Sequence, residues 1–371
     1  MNRFYDFIVL GAGISGCTFA STFNKNFPDA SILLVENGRK IGGRSTTRES
    51  RKNKVLRFDH GLPSINLSEN ISQDLLSIIS PLIKSKNLID ISHDVLEINE
   101  HGKIDYLCSN YKIYRSCPYM INFCEELISQ SRKKNNINFL FKTLIKTFRR
   151  KNNLWELRMN DDKVFSSNYL ILSSSLIAHP RCLSILNINY LPLRDALIEG
   201  KDETLDSLLR ITSKQEFIKR KNFILYVSNT EALNNFKHKY LHLYFSKAIK
   251  EKLNFEKIIF QGQSDRSMVI VLHCSYINKF FYNDIDKIIQ SLIMIFDEHK
   301  KFKDLFSHAT LLDTMHWRAS QPINNFVPKE LQWSTISNIG FCGDWFDFEG
   351  CSSVETAIKS SINLSRLISL K

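Results

Sequence analysis

The stretch from Phe4 to Glu36 constrains this chain more than any other. An apolar run, Phe4-Tyr5-Asp6-Phe7-Ile8-Val9-Leu10, meets Gly11-Ala12-Gly13-Ile14-Ser15-Gly16 with nothing between them. Such a run suits a buried parallel strand, and glycines at this spacing suit a tight turn into a helix. Gly11 permits the turn, Gly13 lets a phosphate approach the backbone, and Gly16 lets helix and strand pack closely. Ile14 and Ser15 open the helix, whose free N–H groups and partial positive charge favour phosphate oxygens. A second apolar run, Ile32-Leu33-Leu34-Val35, ends in Glu36, where a carboxylate can take the hydroxyls of an adenosine ribose. GxGxxG alone also marks ordinary turns; strand, helix and acid in this order make it a dinucleotide site.

Six residues past Glu36 a second glycine turn follows, Gly42-Gly43-Arg44. A nicotinamide-binding fold does not need it. It resembles the FAD-binding signature of the amine-oxidase superfamily, where strand, acid and GGR come in this spacing. A permanently charged, bidentate arginine there suits a pyrophosphate or the nearby substrate cavity; the plain alternative is a surface arginine after a loop.

The chain has 371 residues, 43% hydrophobic and 24% charged, as in one large or two intertwined globular domains. No apolar stretch reaches the length of a membrane span, and Met268 to Leu272 is only strand-length. A first strand beginning by Phe4 leaves no room for a targeting peptide, so the expectation is a cytoplasmic protein. None of the eight cysteines forms a CxxC pair, which suggests reduced thiols and no metal site. The net charge of +12 is spread over short runs such as Lys219-Arg220-Lys221 and Lys300-Lys301, which read as solvated faces. No nucleic-acid fold signature accompanies them, although a basic field could steer an anionic substrate.

Further along, Val55 to Gly61 reads as a strand and turn, 71–90 as a helix, 103–115 as strand-like, and Pro118 as the start of a helix. Residues 138–163 read as antiparallel strands and Tyr169 to Ser174 as a buried strand. Phe223–Val227 and Met268–Leu272 read as strands, and Asp284–Phe296 as a helix. The chain closes with Ile339-Gly340-Phe341-Cys342-Gly343-Asp344 and a helix carrying Val354, Ala357, Ile358, Ser361, Ser365 and Ile368 along one face. The fold expected is α/β: a Rossmann-like FAD-binding domain with a parallel sheet (1–65, 136–185 and 313–371), interleaved with a mixed substrate domain (66–135 and 186–312).

Beyond the superfamily, several segments resemble the bacterial renalase-like oxidoreductases. They are Glu36-Asn37-Gly38-Arg39-Lys40-Ile41-Gly42-Gly43-Arg44, the turn Phe58-Asp59-His60-Gly61, and Asp265-Arg266 ahead of the strand ending at His273. Met315-His316-Trp317-Arg318-Ala319-Ser320-Gln321-Pro322 and the closing Gly343-Asp344 with Gly350-Cys351 follow in the same order. The resemblance implies non-covalent FAD, held by Gly11, Gly13, Ile14, Ser15, Gly16, Glu36, Asn37, Arg39 and the GGR turn. His60, Gly61, Gly343, Asp344, Gly350, Cys351 and Ser352 complete that set. Asp344 would meet the ribityl chain or order the pyrophosphate, and the helix N-terminus at Gly350 to Ser353 would face the flavin N1–C2=O edge.

It also implies oxidation of a reduced nicotinamide dinucleotide, or its misreduced dihydro isomers, by hydride transfer to flavin N5 with dioxygen as acceptor. Trp317 would be a cavity wall or substrate stack, Arg318 an anion or flavin contact, and His60 a group facing the flavin. The alternatives are a salt bridge over the last helix for Arg318 and a structural role for His60. Leu62-Pro63-Ser64 and the segment Ser174 to Pro180 depart from the family's pattern next to the cavity. An amine or carotenoid oxidoreductase of the same superfamily, or a flavin-binding protein without activity, therefore stays open.

Overall fold

The computed structural model describes residues 3–145, 147–159, 163–275, 284–348 and 352–369. The opening apolar run forms the strand Arg3–Leu10 in the middle of an eight-stranded sheet. Ile137–Leu140, Ile32–Val35, Arg3–Leu10, Val164–Leu172 and Ile339–Phe341 run parallel in that order. Leu154–Arg158 and Thr147–Lys151 extend the sheet antiparallel beside the first half of Val164–Leu172.

The central runs lack polar alternation because both faces of this sheet are covered. Phe7, Val9, Ile32, Leu34 and Ile171 pack beneath the helices Ile14–Asn26, Ile121–Ser129 and Ser353–Ser369. Ile8, Leu33, Leu170 and Leu172 point the other way, into a core closed by Leu205, Leu208 and Leu209 of the helix Glu203–Thr212.

The second sheet has seven strands in the order Thr310–Pro322, Phe217–Val227, Met268–Ser275, Phe255–Gly262, Tyr240–Phe245, Val95–Ile98, Ile104–Tyr106. Here alternation is clear. Phe223, Leu225, Ile270, Leu272, Ile258 and Phe260 bury one face, with Phe296, Phe302 and Phe306 at the helices Ile285–Ile295 and Lys300–Ser307. Ile224, Ile259, Val269 and Val271 occupy the opposite face with Phe58 of the first domain. The site lies where that face meets the parallel sheet.

The α/β architecture is the one expected, with the second sheet interleaved in sequence. Several details differ. Ile137–Leu140 is a parallel strand of the first sheet and not part of an antiparallel set; a run of four residues does not reveal its partner's direction. The stretch 103–115 divides between two sheets, with Ile104–Tyr106 in the second and Tyr111–Ser116 pairing Ile65–Ser68 and Leu88–Asp90. Segment 66–135, expected in one domain, divides the same way: Leu75, Ile79, Phe123 and Leu127 join the dinucleotide-side core, while Val95–Ile98 joins the second sheet. The boundary expected at 312/313 falls inside the strand Thr310–Pro322, which belongs to the second sheet.

Candidate active site

The two glycine turns form one unit. Gly11 has φ +105° and donates its N–H to the Val35 carbonyl at 2.8 Å. A Cβ on Gly16 would lie 2.0 Å from the Gly11 oxygen, so only glycine lets the helix approach the strand this closely. Gly42, at φ +116°, donates to the Ala12 carbonyl at 2.7 Å, and Gly13 and Gly42 form a parallel β-bridge. Glu36 sits at the edge of this cradle. Its Oε2 accepts from the Ala12 N–H at 3.0 Å and its Oε1 from the Gly38 N–H at 2.6 Å. Each carboxylate oxygen keeps a lone pair for a ribose hydroxyl.

Arg44 reaches across to the last segment of the chain. Both terminal nitrogens donate to Asp344, each at 2.7 Å, and one also donates to the Ser320 carbonyl. Ser353, at the start of the last helix, donates to Asp344 at 2.8 Å. Burial by itself raises the Asp344 carboxyl; Arg44 and Ser353 override it and hold the group below the usual carboxylate range. Arg44 and Asp344 thus hold each other at the cavity lining.

Cradle, GGR turn and second sheet enclose a cavity of about 440 Å³. Gly11, Gly13, Ile14, Ser15, Glu36, Gly42, Gly43 and Arg44 line its dinucleotide side. Gly61, Trp317 and Asp344 also reach it, and so do Leu62, Pro63 and Ser174 from the two departing segments. A Cβ on Gly61 would come within 2.3 Å of the Arg44 carbonyl and 2.9 Å of the Trp317 ring, which fixes where the indole can sit.

Other expected residues lie elsewhere. Gly16 lies under the turn, and Gly343 packs against the Trp345 ring with φ +147°. His60 stands behind Trp317, ring centres 5.6 Å apart and nearly parallel, and does not line the cavity. Burial, with the Arg48 charge, pulls its imidazole down to about 4, so it is neutral at ordinary pH. Arg318 is exposed and outside the cavity lining, its side chain alternating with that of Trp317 along one strand. Asn37 and Arg39 are exposed. Ser352 caps the last helix: its N–H donates to Glu355 at 2.8 Å, and its hydroxyl accepts from the Glu355 N–H at 3.3 Å. Gly350 and Cys351 lie outside the described residues.

The opposite wall comes from residues to which the sequence assigned no role in the site. Arg220, in a run expected to be solvated, donates to Glu256 at 2.7 Å and to the Ser320 hydroxyl at 2.8 Å; its neighbour Lys221 is buried. Arg181 lies 3.8 Å over the Phe217 ring and donates to Ser175 at 2.8 Å, with Nη1 buried and without a hydrogen-bond partner among the described residues. Burial and the Arg44 charge lower its guanidinium to about 10. Lys257 donates to the Tyr244 hydroxyl at 3.3 Å. Arg44 and Arg220 are paired, whereas Arg181 and Lys257 form no ion pair among the described residues. Asn222 and His273 are buried at the same wall.

The chain matches the model of the NAD(P)-binding Rossmann-like domain over residues 9–78. No curated protein is detectably similar in sequence. A cyclohexylamine oxidase from Brevibacterium oxydans shares the fold at TM-score 0.66 and 11% identity, over 99% of each chain. A wild-type putrescine oxidase with bound putrescine does so at 0.63 and 10%, over all of both chains. A flavoprotein/dehydrogenase from Cytophaga hutchinsonii gives 0.54 and 11%, over 98% of this chain and 78% of its own. The architecture is the two-domain fold of these oxidoreductases.

The site fits an adenine dinucleotide on its own geometry. The turn at Gly11 and Gly13 opens the first helix, Glu36 retains acceptor capacity, and the last helix brings Ser353, Val354 and Ala357 to the far side of the cavity. Among the described residues no group of three or more His, Cys, Asp or Glu could hold a metal, and no helix is long and apolar enough to cross a membrane.

Proposed function

We propose that this chain is an FAD-dependent oxidoreductase acting on an anionic small molecule, most simply a reduced nicotinamide dinucleotide or its misreduced dihydro isomers. The observation that carries the reading is one cavity shared by the dinucleotide cradle and a wall holding two cations, Arg181 and Lys257, that form no ion pair among the described residues. FAD, when bound, supplies hydride acceptance at N5, and dioxygen reoxidises it to give hydrogen peroxide.

The chain's own residues do the rest. The cradle and Glu36 hold the adenosine and pyrophosphate. Arg44, tied to Asp344, fixes the last helix against the GGR turn. Trp317, backed by His60, offers a flat indole for stacking at the cavity wall. Arg181 and Lys257 attract phosphate or carboxylate groups and repel a protonated amine, which favours this substrate class over the amines named for the structural neighbours.

The test is a visible spectrum of the purified protein, repeated without oxygen after adding reduced nicotinamide isomers. Yellow protein that bleaches and recovers in air supports the reading. A yellow protein bleached by amines alone would overturn the substrate class, and a colourless protein that cannot take up FAD would overturn the cofactor.

A further inference from the structure

The segment Ser174 to Pro180, together with the Arg181 that follows it, is bordered by two cavities. Ser174, Ser175 and Arg181 line the dinucleotide cavity, while Ile177, Ala178 and Pro180 line a second one of about 530 Å³. Packing alone therefore does not set where Arg181 stands. Hydrogen bonds take over part of that task.

His179 makes the two that matter. The Arg181 backbone N–H donates to His179 Nδ1 at 2.9 Å, and His179 Nε2 donates to the Gln215 carbonyl at 3.0 Å. An amide N–H can only donate and a carbonyl only accept, so a single form of the ring, neutral with its proton on Nε2, makes both bonds. Burial holds this imidazole below the usual histidine range, against the Gln215 carbonyl and with help from the Arg181 charge, so that neutral ring is the one present at pH 7. The far end of the link is firm. Gln215 is buried, and its Nε2 donates to the Asn325 carbonyl at 2.9 Å and to the Trp345 carbonyl at 3.0 Å.

The arrangement closes on itself. Two residues past Gln215, Phe217 opens a strand of the second sheet. The Arg181 guanidinium lies 3.8 Å over its ring, and the His179 ring meets the same ring edge-on, with 5.5 Å between centres. The tip of the arginine thus rests on one sheet, while its backbone follows from the strand Val164–Leu172 of the other. His179 is a strut between the two, tying the root of Arg181 to the strand that carries the ring under its tip. A long side chain is aimed only as well as the backbone it hangs from, so the strut fixes the charge presented to the cavity. We propose that His179 is a positioning residue, whose Nε2–H tautomer sets Arg181 for the anionic group of the substrate. The proposal rests on the reading that Arg181 meets that anion.

The experiment titrates the flavin-loaded protein by calorimetry with benzoate and benzamide, probes of one shape that differ in charge. His179→Phe keeps a ring against Phe217 and loses both hydrogen bonds. It should weaken benzoate about five-fold, which is about 1 kcal/mol and the net worth of one hydrogen bond, and leave benzamide within about two-fold. His179→Asn should restore most of the loss, because an asparagine oxygen can accept from the N–H two residues on. In an Arg181→Met background, His179→Phe should change benzoate no further, since it acts through the arginine. Nitrogen NMR of the histidine-labelled parent reads the ring directly, with neither ligand nor variant, and should show Nε2 protonated and Nδ1 bare.

A His179 ring protonated on Nδ1 overturns the proposal, and so does a folded His179→Phe protein with its benzoate affinity intact. Equal weakening of both probes, no rescue by asparagine, or an undiminished effect in the Arg181→Met background overturns it too, and leaves His179 a role in the fold alone. The two readings fail separately. Benzoate binding indifferent to Arg181→Met sinks the anion reading and this proposal with it. Benzoate binding that needs Arg181 but not His179 sinks the proposal alone.

Discussion

Replacing Arg44 by Met isolates what its pairing with Asp344 does for the fold. The Asp344 side chain is 6% exposed and accepts two hydrogen bonds of 2.7 Å from the guanidinium and one of 2.8 Å from Ser353. Removing one partner of a buried pair costs about 3–5 kcal/mol, because the other charge is left unpaired. Here the Arg44 side chain is 42% exposed. Solvent therefore screens part of the interaction, and about 2 kcal/mol is the expected loss. Over 371 residues, at an unfolding entropy of about 2 cal/mol/K each, that lowers the melting temperature by about 2–3 °C.

The pH dependence gives the sharper test. In the parent the Asp344 carboxyl is held down, so its contribution is complete above the unfolded-state value of about 4 and fades only as pH falls through the lowered value. Without Arg44, burial raises the same carboxyl. Its penalty is then full at pH 8 and shrinks as pH falls through the raised value. The stability gap between parent and variant, followed by circular dichroism melts, should narrow between pH 8 and pH 5. Adding Asp344→Asn to the variant should recover at least half of the loss at pH 8. A gap independent of pH, with no recovery in the double variant, would refute the reasoning.

Four further outcomes are expected. Gly16→Ala places a methyl 2.0 Å from the Gly11 carbonyl, and should cost about 3 kcal/mol and at least ten-fold in FAD affinity, read by melting and by flavin fluorescence titration. Glu355→Ala strands the Ser352 N–H and the Ser68 N–H and hydroxyl that its carboxylate now accepts, and should cost about 2–3 kcal/mol in a urea titration. His60, with an imidazole at about 4 in the fold and about 6.5 unfolded, binds its proton only in the unfolded chain between those values. Stability should therefore fall as pH drops from 6.5 toward 4, and His60→Phe should flatten that slope. Arg181→Met should raise KM for an anionic substrate about ten-fold with a smaller change in kcat, and Arg181→Lys should recover part of it in steady-state kinetics.

The dinucleotide half of the site is legible in the sequence because its geometry is local. Gly16 and Gly42 stand where a side chain would collide with backbone, Gly11 holds φ +105°, and the acid follows at the end of the next strand. The other wall is hidden for two reasons. Asn222, Lys257 and His273 meet only through strand register, which no local pattern encodes. Alternation along a strand also sends neighbours to opposite faces: Lys219 is exposed while Arg220 reaches the cavity, and Arg318 turns away while Trp317 turns in. A basic run read as a surface was thus half interior. His60 looked like a cofactor contact from its place in a turn; only the stacking with Trp317 shows that it supports the wall from behind.

The bridge between Gly13 and Gly42 bears on how this protein would keep and replace the flavin proposed for it. Because the two turns are stitched together by their own backbone, the cradle belongs to the scaffold and does not wait for a guest to shape it. Affinity then need not be spent on ordering a loop. A molecule emptied of flavin would present the same mouth to the next one, ready for recharging. The two motifs are also unequal in what they tolerate: Gly42, at φ +116° and with a Cβ that would fall 2.9 Å from Thr46, has no substitute, so a side chain gained there loosens the seat that Gly13 completes.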